Sequence, residues 1–297
     1  MLDNLLPHAL RWMRFNQRTF QSLPNNSSTI RNALTHDQLS KFAPTQERDI
    51  DGHTLYTCEQ SAQYQHIFLL HGGAYVIPAL AGHIRMLKSW YQLGFCVSAF
   101  DYPLAPNATA DETINATLKA YQTLIEAYPN DRILVVGDSA GGGLAISLLQ
   151  KLRENGLPMP AKTALLSPWL DLELHKAEER QQHNSEVVLH LEGLRRCAEA
   201  YAGSRSLDDP LISPVKADLS NLGPMKLWVS DSELFYEDCL TFVERVEAAE
   251  GSRCRLKVES GLLHDWPMIA NTSKARSTIR SVARYFFKMA NSASELK

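Results

Sequence analysis

The 297-residue sequence has no run of the ~18–20 continuous apolar residues that a membrane-spanning helix needs. The stretch from His66 to Gly82 comes nearest, but His71, Gly72, Gly73 and Pro78 interrupt it. The chain does not open on a basic segment followed by an apolar stretch and a small-residue cleavage site, so no secretory signal is expected. Cysteine is sparse. Cys58, Cys96, Cys197, Cys239 and Cys254 form an odd, scattered set without C-x-x-C spacing. That excludes the usual disulfide frame or zinc site and fits reduced thiols in a cytoplasmic protein. An excess of one charge is also missing. Thirty Lys+Arg stand against 33 Asp+Glu, a net charge of −3, so the concentrated basic surface of a nucleic-acid binder is not expected. Repeats and low-complexity tracts are absent, and 44% apolar residues exclude a disordered chain.

What is present is periodic. Leu2, Leu5, Leu6, Leu10 and Met13 recur at helical spacing, with Arg11, Arg14 and Arg18 on other faces. Residues 1–45 therefore read as an N-terminal helical segment, either packed on the body, folded over a site as a cap, or resting weakly on a membrane surface. Between Glu47 and Glu59 the period changes, and Asp51-Gly52 marks a hairpin turn. Short buried runs follow at His66–Leu70, Phe95–Phe100, Ile133–Val136, Thr163–Leu166, Lys226–Ser230 and Cys254–Val258. Amphipathic stretches near 82–93, 111–128, 140–155, 236–250 and 273–289 alternate with them. Such alternation predicts an α/β fold, a mostly parallel sheet covered by helices on both faces. Residues 171–222 are polar and too long for a simple connection, so they read as an insertion above the carboxyl edge of the sheet, within a catalytic domain spanning 46–297. In the last helix, Ile279, Val282, Tyr285 and Phe286 form a face for internal packing or for a second subunit in a homodimer.

Gly137-Asp138-Ser139-Ala140-Gly141 is a G-x-S-x-G pattern between a buried run and the apolar stretch Leu144–Leu152. A serine on so sharp a strand-to-helix turn is crowded, and flanking glycines relieve the crowding. The N–H of Ala140, at the helix start, is then available to a developing negative charge. A dinucleotide fingerprint is not met, because Ser139 stands where its second glycine belongs. His71-Gly72-Gly73-Ala74-Tyr75 follows the run ending at Leu70. Its glycines let the backbone approach a substrate and offer N–H groups, those of Gly72 and Gly73, to an oxyanion, with His71 as a brace. A serine nucleophile needs a histidine base and an orienting carboxylate, in the order Ser…acid…His. His264 alone among the histidines lies beyond the last strand. Asp231 and Glu233 both follow the run Lys226–Ser230, and spacing does not choose between them. Tyr75, Trp169 and Trp266 are candidates to line a pocket or simply to fill the core.

Together these motifs, with Asp101-Tyr102-Pro103-Leu104-Ala105-Pro106, Ser167-Pro168-Trp169-Leu170-Asp171-Leu172 and Asp209-Pro210-Leu211-Ile212-Ser213-Pro214, resemble the hormone-sensitive-lipase branch of the α/β-hydrolases, the bacterial family IV carboxylesterases. The resemblance runs from about Ile67 to Met268. It implies an α/β-hydrolase fold with a helical cap from the N-terminal helices and the insertion, Ser139 as nucleophile, His264 as base, and an oxyanion hole of Gly72, Gly73 and Ala140. It implies neither cofactor nor metal. Ala74 stands where the family often has a third glycine, and Pro103 where it commonly has an arginine. Glu233-Leu234-Phe235-Tyr236-Glu237-Asp238 resembles a subgroup that reads Glu-x-Leu-Leu-Asp-Asp, which favours Glu233 over Asp231 as the acid. The expected activity is serine carboxylesterase on small, short-chain acyl esters, without nucleic acid or stable membrane insertion. An amidase, lipase or deacetylase on the same triad is one alternative, and a non-catalytic ligand-binding protein on the same scaffold is another.

Overall fold

The computed structural model describes residues 18, 21–25, 29–60, 65–181 and 187–287. The apolar helix expected from Leu2 to Met13 lies outside them.

The first complete elements of the described chain are a one-turn helix, α1 (His36–Leu39), and a hairpin of β1 (Thr45–Ile50) and β2 (His53–Cys58). Its turn residues Asp51 and Gly52 have φ of 53° and 88°, the left-handed pair that Asp-Gly accommodates in a two-residue connection. Then come β3 (Gln65–Leu70), α2 (Ala81–Gln92), β4 (Cys96–Phe100), α3 (Ala110–Ala127), β5 (Arg132–Asp138), α4 (Ala140–Glu154) and β6 (Lys162–Leu166). After these follow α5 (His175–Gln181), α6 (Leu191–Ala202), a 3-10 turn at Pro214–Lys216, β7 (Gly223–Ser230), α7 (Tyr236–Glu247), β8 (Ser252–Glu259), α8 (Trp266–Ile269) and α9 (Ser273–Phe287).

The strands form one sheet in the order β1-β2-β4-β3-β5-β6-β7-β8. The hairpin and the β2–β4 pair are antiparallel, and every other pairing is parallel. Successive strand side chains face opposite sides, so the buried runs divide between two core layers. On β3, Phe68 and Leu70 enter one layer, and Ile67 and Leu69 the other. On β5, Val135 is set against Leu134 and Val136 in the same way. Helices α3, α4 and α7 cover the first layer, and α2 and α9 the second. Ile279, Val282 and Phe286 of α9 are buried in that second layer, and Trp90 Nε1 donates to the Ile279 carbonyl at 3.0 Å. The apolar face of the last helix is thus used inside the protein.

Parallel strands bring their following loops to one edge, where open α/β sheets bind ligands. The loops after β3, β5, β6, β7 and β8 meet there. The insertion after β6 has two parts. Helices α5 and α6 form one, and residues 207–217 form the other, which runs along α4 and is held by Ser147 Oγ to Leu211 O (2.6 Å) and Gln150 Nε2 to Pro210 O (3.1 Å). Arg196 of α6 donates to the Leu23 carbonyl at 3.0 Å, which ties the described part of the N-terminal segment to the insertion.

Asp238, in the first turn of α7, is 2% exposed and one of its carboxylate oxygens has no partner. Burial, aided by the nearby Asp171, pushes its carboxyl up to about 7. The folded state therefore holds a proton that the unfolded chain releases, so Asp238 lowers stability as pH rises from its ordinary value of 3.8 to about 7. Asp238→Asn is expected to stabilise the protein on the order of 2 kcal/mol at about pH 8, with the gain vanishing near pH 4, as read by urea unfolding at both pH values.

Candidate active site

Ser139 sits between β5 and α4 at φ 49°, ψ −119°, a conformation that costs a non-glycine residue about 1–3 kcal/mol. The turn is held by Ser139 N–H to Leu166 O (2.9 Å) and Trp169 N–H to Ser139 O (2.8 Å). A Cβ on Gly141 would collide with the Leu70 carbonyl, and one on Gly137 with the Gly141 carbonyl. The flanking glycines thus let β3, β5 and α4 close around the turn, leaving Ser139 8% exposed.

His264 follows β8. Its Nε2 lies 2.9 Å from Ser139 Oγ, and its Nδ1 lies 2.6 Å from Glu233 Oε2. The carboxylate requires Nδ1 to carry a hydrogen, which leaves Nε2 facing the hydroxyl as an acceptor. Glu233 is fully buried, and its second oxygen, Oε1, accepts from Ser167 Oγ and Ser230 N–H, both at 2.7 Å. Arg180 of α5 donates from Nε to the Glu233 carbonyl at 2.6 Å and also donates to the Asp231 carbonyl. A side chain of the insertion therefore fixes the loop that carries Glu233. The Asp231 carboxylate makes no hydrogen bond to the ring. It accepts from Gly261 N–H (2.9 Å), Ser260 Oγ (2.8 Å) and Ser232 Oγ (3.1 Å), and the first two hold it below its ordinary value.

The loop after β3 departs from expectation at Gly72. Its N–H donates to Asp138 Oδ2 at 2.8 Å, so this donor is occupied. Among the described residues no partner is found for the N–H groups of Gly73, Ala74 and Ala140. Gly73 and Ala74 have φ of 131° and 52°, so the backbone reverses just where these amides lie. In sequence Ala74 reads as an ordinary residue following two glycines, with no sign of the left-handed backbone it adopts. His71 holds the loop from behind: Nδ1 donates to Gly72 O at 2.8 Å, and the ring stacks on Tyr102 at 4.2 Å. Burial, with His83 nearby, pushes His71 down to about 4, so the ring is neutral and braces without titrating.

The three aromatic candidates separate. Trp169 stacks on Phe235, whose ring meets that of His264 edge-on at 5.2 Å. Tyr75 stacks on Tyr201 of α6 at 3.6 Å, joining the loop after β3 to the insertion. Trp266 belongs to the second core layer, where Nε1 donates to Thr278 Oγ1 at 3.1 Å. Among the described residues, His66, Cys96 and Asp131 gather with ligand atoms within 4.8 Å of one another, toward the opposite edge of the sheet. Both ring nitrogens of His66 are already engaged, with Asp131 Oδ2 at 3.1 Å and Ser98 Oγ at 2.7 Å, so the group is satisfied without an ion.

Residues 67–268 match the model of a family described as having the alpha/beta hydrolase fold. The chain is 31% identical to an acetyl-hydrolase of Streptomyces hygroscopicus over 67% of each protein. It is 30% identical to an esterase of Acinetobacter venetianus over 76% of each. Among solved structures, an esterase from the bacterial hormone-sensitive lipase family superposes with a TM-score of 0.79 at 26% identity, covering 95% of this chain and 96% of that one. Among the described residues no helix is long and apolar enough to cross a membrane. The matched span runs from β3 to α8 and so takes in every loop that reaches the serine, and on this agreement of sheet order, span and relatives the chain belongs to the hormone-sensitive-lipase-like branch of the α/β-hydrolase family.

Proposed function

We propose that this chain, a carboxylic ester hydrolase, acts as a serine carboxylesterase on small, short-chain acyl esters. The hydrogen-bonded series Ser139 Oγ, His264 Nε2, His264 Nδ1, Glu233 Oε2, at 2.9 and 2.6 Å, is the observation that carries the reading. Ser139 Oγ attacks the acyl carbon while His264 Nε2 takes the hydroxyl proton. Glu233 holds the ring in the required tautomer and stabilises the imidazolium. The tetrahedral oxyanion is received by the N–H groups of Gly73, Ala74 and Ala140, with Gly72 replaced as a donor because its N–H is bound to Asp138. His264 returns the proton to the leaving alcohol, and a water activated by the same ring releases the acyl group from Ser139.

Short acyl groups are part of this proposal; Phe235 packs edge-on against the His264 ring and Trp169 stacks behind it. The name of the Streptomyces relative, an acetyl-hydrolase, points the same way. A cytoplasmic setting is supported by five buried cysteines, none of them in a disulfide. A nitrophenyl ester series tests the substrate class: kcat/KM for acetate and butyrate is expected to exceed that for octanoate by about tenfold or more. A preference for octanoate, or equal rates on the matching anilides, would replace this reading with a lipase or an amidase.

A further inference from the structure

Directly before Ser139 and directly after His264 stand two aspartates, Asp138 and Asp265, exposed by 0% and 1%. Their carboxyl groups lie within hydrogen-bonding reach of each other. Asp138 Oδ2 is supplied with donors, Gly72 N–H at 2.8 Å and His83 Nε2 at 3.0 Å. The His83 tautomer follows from its other nitrogen: Nδ1 accepts from Leu80 N–H at 2.8 Å, so Nε2 carries the hydrogen. The remaining oxygens, Asp138 Oδ1 and both oxygens of Asp265, are buried without a donor. Arg85 feels the Asp265 carboxyl electrostatically but makes no hydrogen bond to it: Nη2 donates to the carbonyls of Pro267, Met268 and Ala270 at 3.0, 2.6 and 2.9 Å, and Nε is buried without a partner. Two ionised carboxylates facing each other in such a place would repel strongly, and the facing oxygens have no donor to offset the repulsion.

We propose that Asp265 is a positioning residue whose protonated carboxyl donates a hydrogen bond to Asp138 and so locks the loop of His264 to the turn of Ser139. The assignment rests on the esterase reading for its catalytic consequence, though not for its chemistry. One proton satisfies the facing oxygens, and the surroundings decide where it resides. Burial acts to raise Asp138, but His83, which donates to it, and the hydrogen bond from Asp265 outweigh burial and hold Asp138 below its ordinary value. Burial, the charge on Asp138 and that on Glu233 push Asp265 well above its ordinary value. Asp138 therefore keeps the charge and Asp265 the proton. The bond joins residues adjacent in the chain to the two partners of the 2.9 Å contact between Ser139 and His264. Asp265 takes a left-handed φ of 48°, and its N–H donates to Ser167 Oγ at 3.2 Å, the same hydroxyl that donates to Glu233. Its side chain is thus aimed at Asp138 by a backbone that the rest of the site also holds.

Infrared difference spectroscopy and kinetics test the lock together. At about pH 8, where ordinary carboxyls are ionised, the parent-minus-D265N spectrum is expected to contain the C=O stretch of a protonated carboxyl. Asparagine can donate to Asp138 as the acid does, so D265N is expected to recover most of the activity that D265A loses. D265A should lower kcat by about 10–100-fold with KM within about twofold, because the reacting groups, not the binding surface, are displaced. Absence of the protonated-carboxyl band, or a D265A protein with parental kcat, would overturn the proposal. The spectrum is also read in a Ser139→Ala background. There the band should persist, so a failure of the esterase reading is told apart from a failure of the proton lock.

Discussion

Replacing Ser139 by alanine is expected to lower kcat on nitrophenyl acetate by about 10⁴-fold or more, with the fold retained. The expectation follows from His264 Nε2 having, among the described residues, Ser139 Oγ at 2.9 Å as its hydrogen-bond partner and no second nucleophile bonded to it. Alanine removes an oxygen and adds nothing to a turn that already tolerates a Cβ at φ 49°. His264→Ala should give a loss of similar size, and the double variant should lose little more than either single one, because residues that act as a unit are not additive. Initial rates on the three purified proteins, with thermal unfolding to verify folding, provide the measurement. A Ser139→Ala protein of parental rate would remove the basis of the proposed function.

Glu233→Gln is expected to cost about 10³–10⁴-fold in kcat, and Asp231→Asn to stay within about threefold of the parent. Glutamine keeps the shape of the side chain but can present an amide N–H to His264 Nδ1, which favours the wrong tautomer, and it cannot stabilise the imidazolium. Glu233 Oε1 accepts from two further donors and Oε2 faces the ring, so the carboxylate is built into the site from both sides. Asp231 ties together the local turns at Ser232, Ser260 and Gly261 and does not reach the ring. Comparable losses from both variants would show that the two carboxylates act as a pair.

Much of the scaffold was legible because the signals were local. The Asp51-Gly52 turn, the apolar runs that became β3 to β8, and the glycines around Ser139 each carry their structure within a few residues. Less was legible wherever a distant partner decides. Gly72 read as an oxyanion donor because two glycines in a loop after a strand suggest two available amides, yet a carboxylate from the turn after β5 takes the first of them. Asp265 carried no signal at all, since its meaning depends on Asp138 facing it across the site. Trp266 read equally as a pocket wall or as core filling, and the left-handed residue before it turns the chain so that the indole enters the second core layer. The insertion after β6 was recognisable by length and polarity. That it divides into helices near the site and a segment bound along α4 depends on contacts such as Ser147 with Leu211, which no spacing rule encodes.

A fluorophosphonate that traps an activated serine, followed by peptide mass mapping, bears most directly on the claim that three loops of one sheet edge make Ser139 a nucleophile. The adduct is predicted on the peptide containing Ser139, forming in step with loss of esterase activity and much more slowly in Glu233→Gln. Full loss of activity with Ser139 unmodified, or an adduct mapped to another residue, would contradict the account.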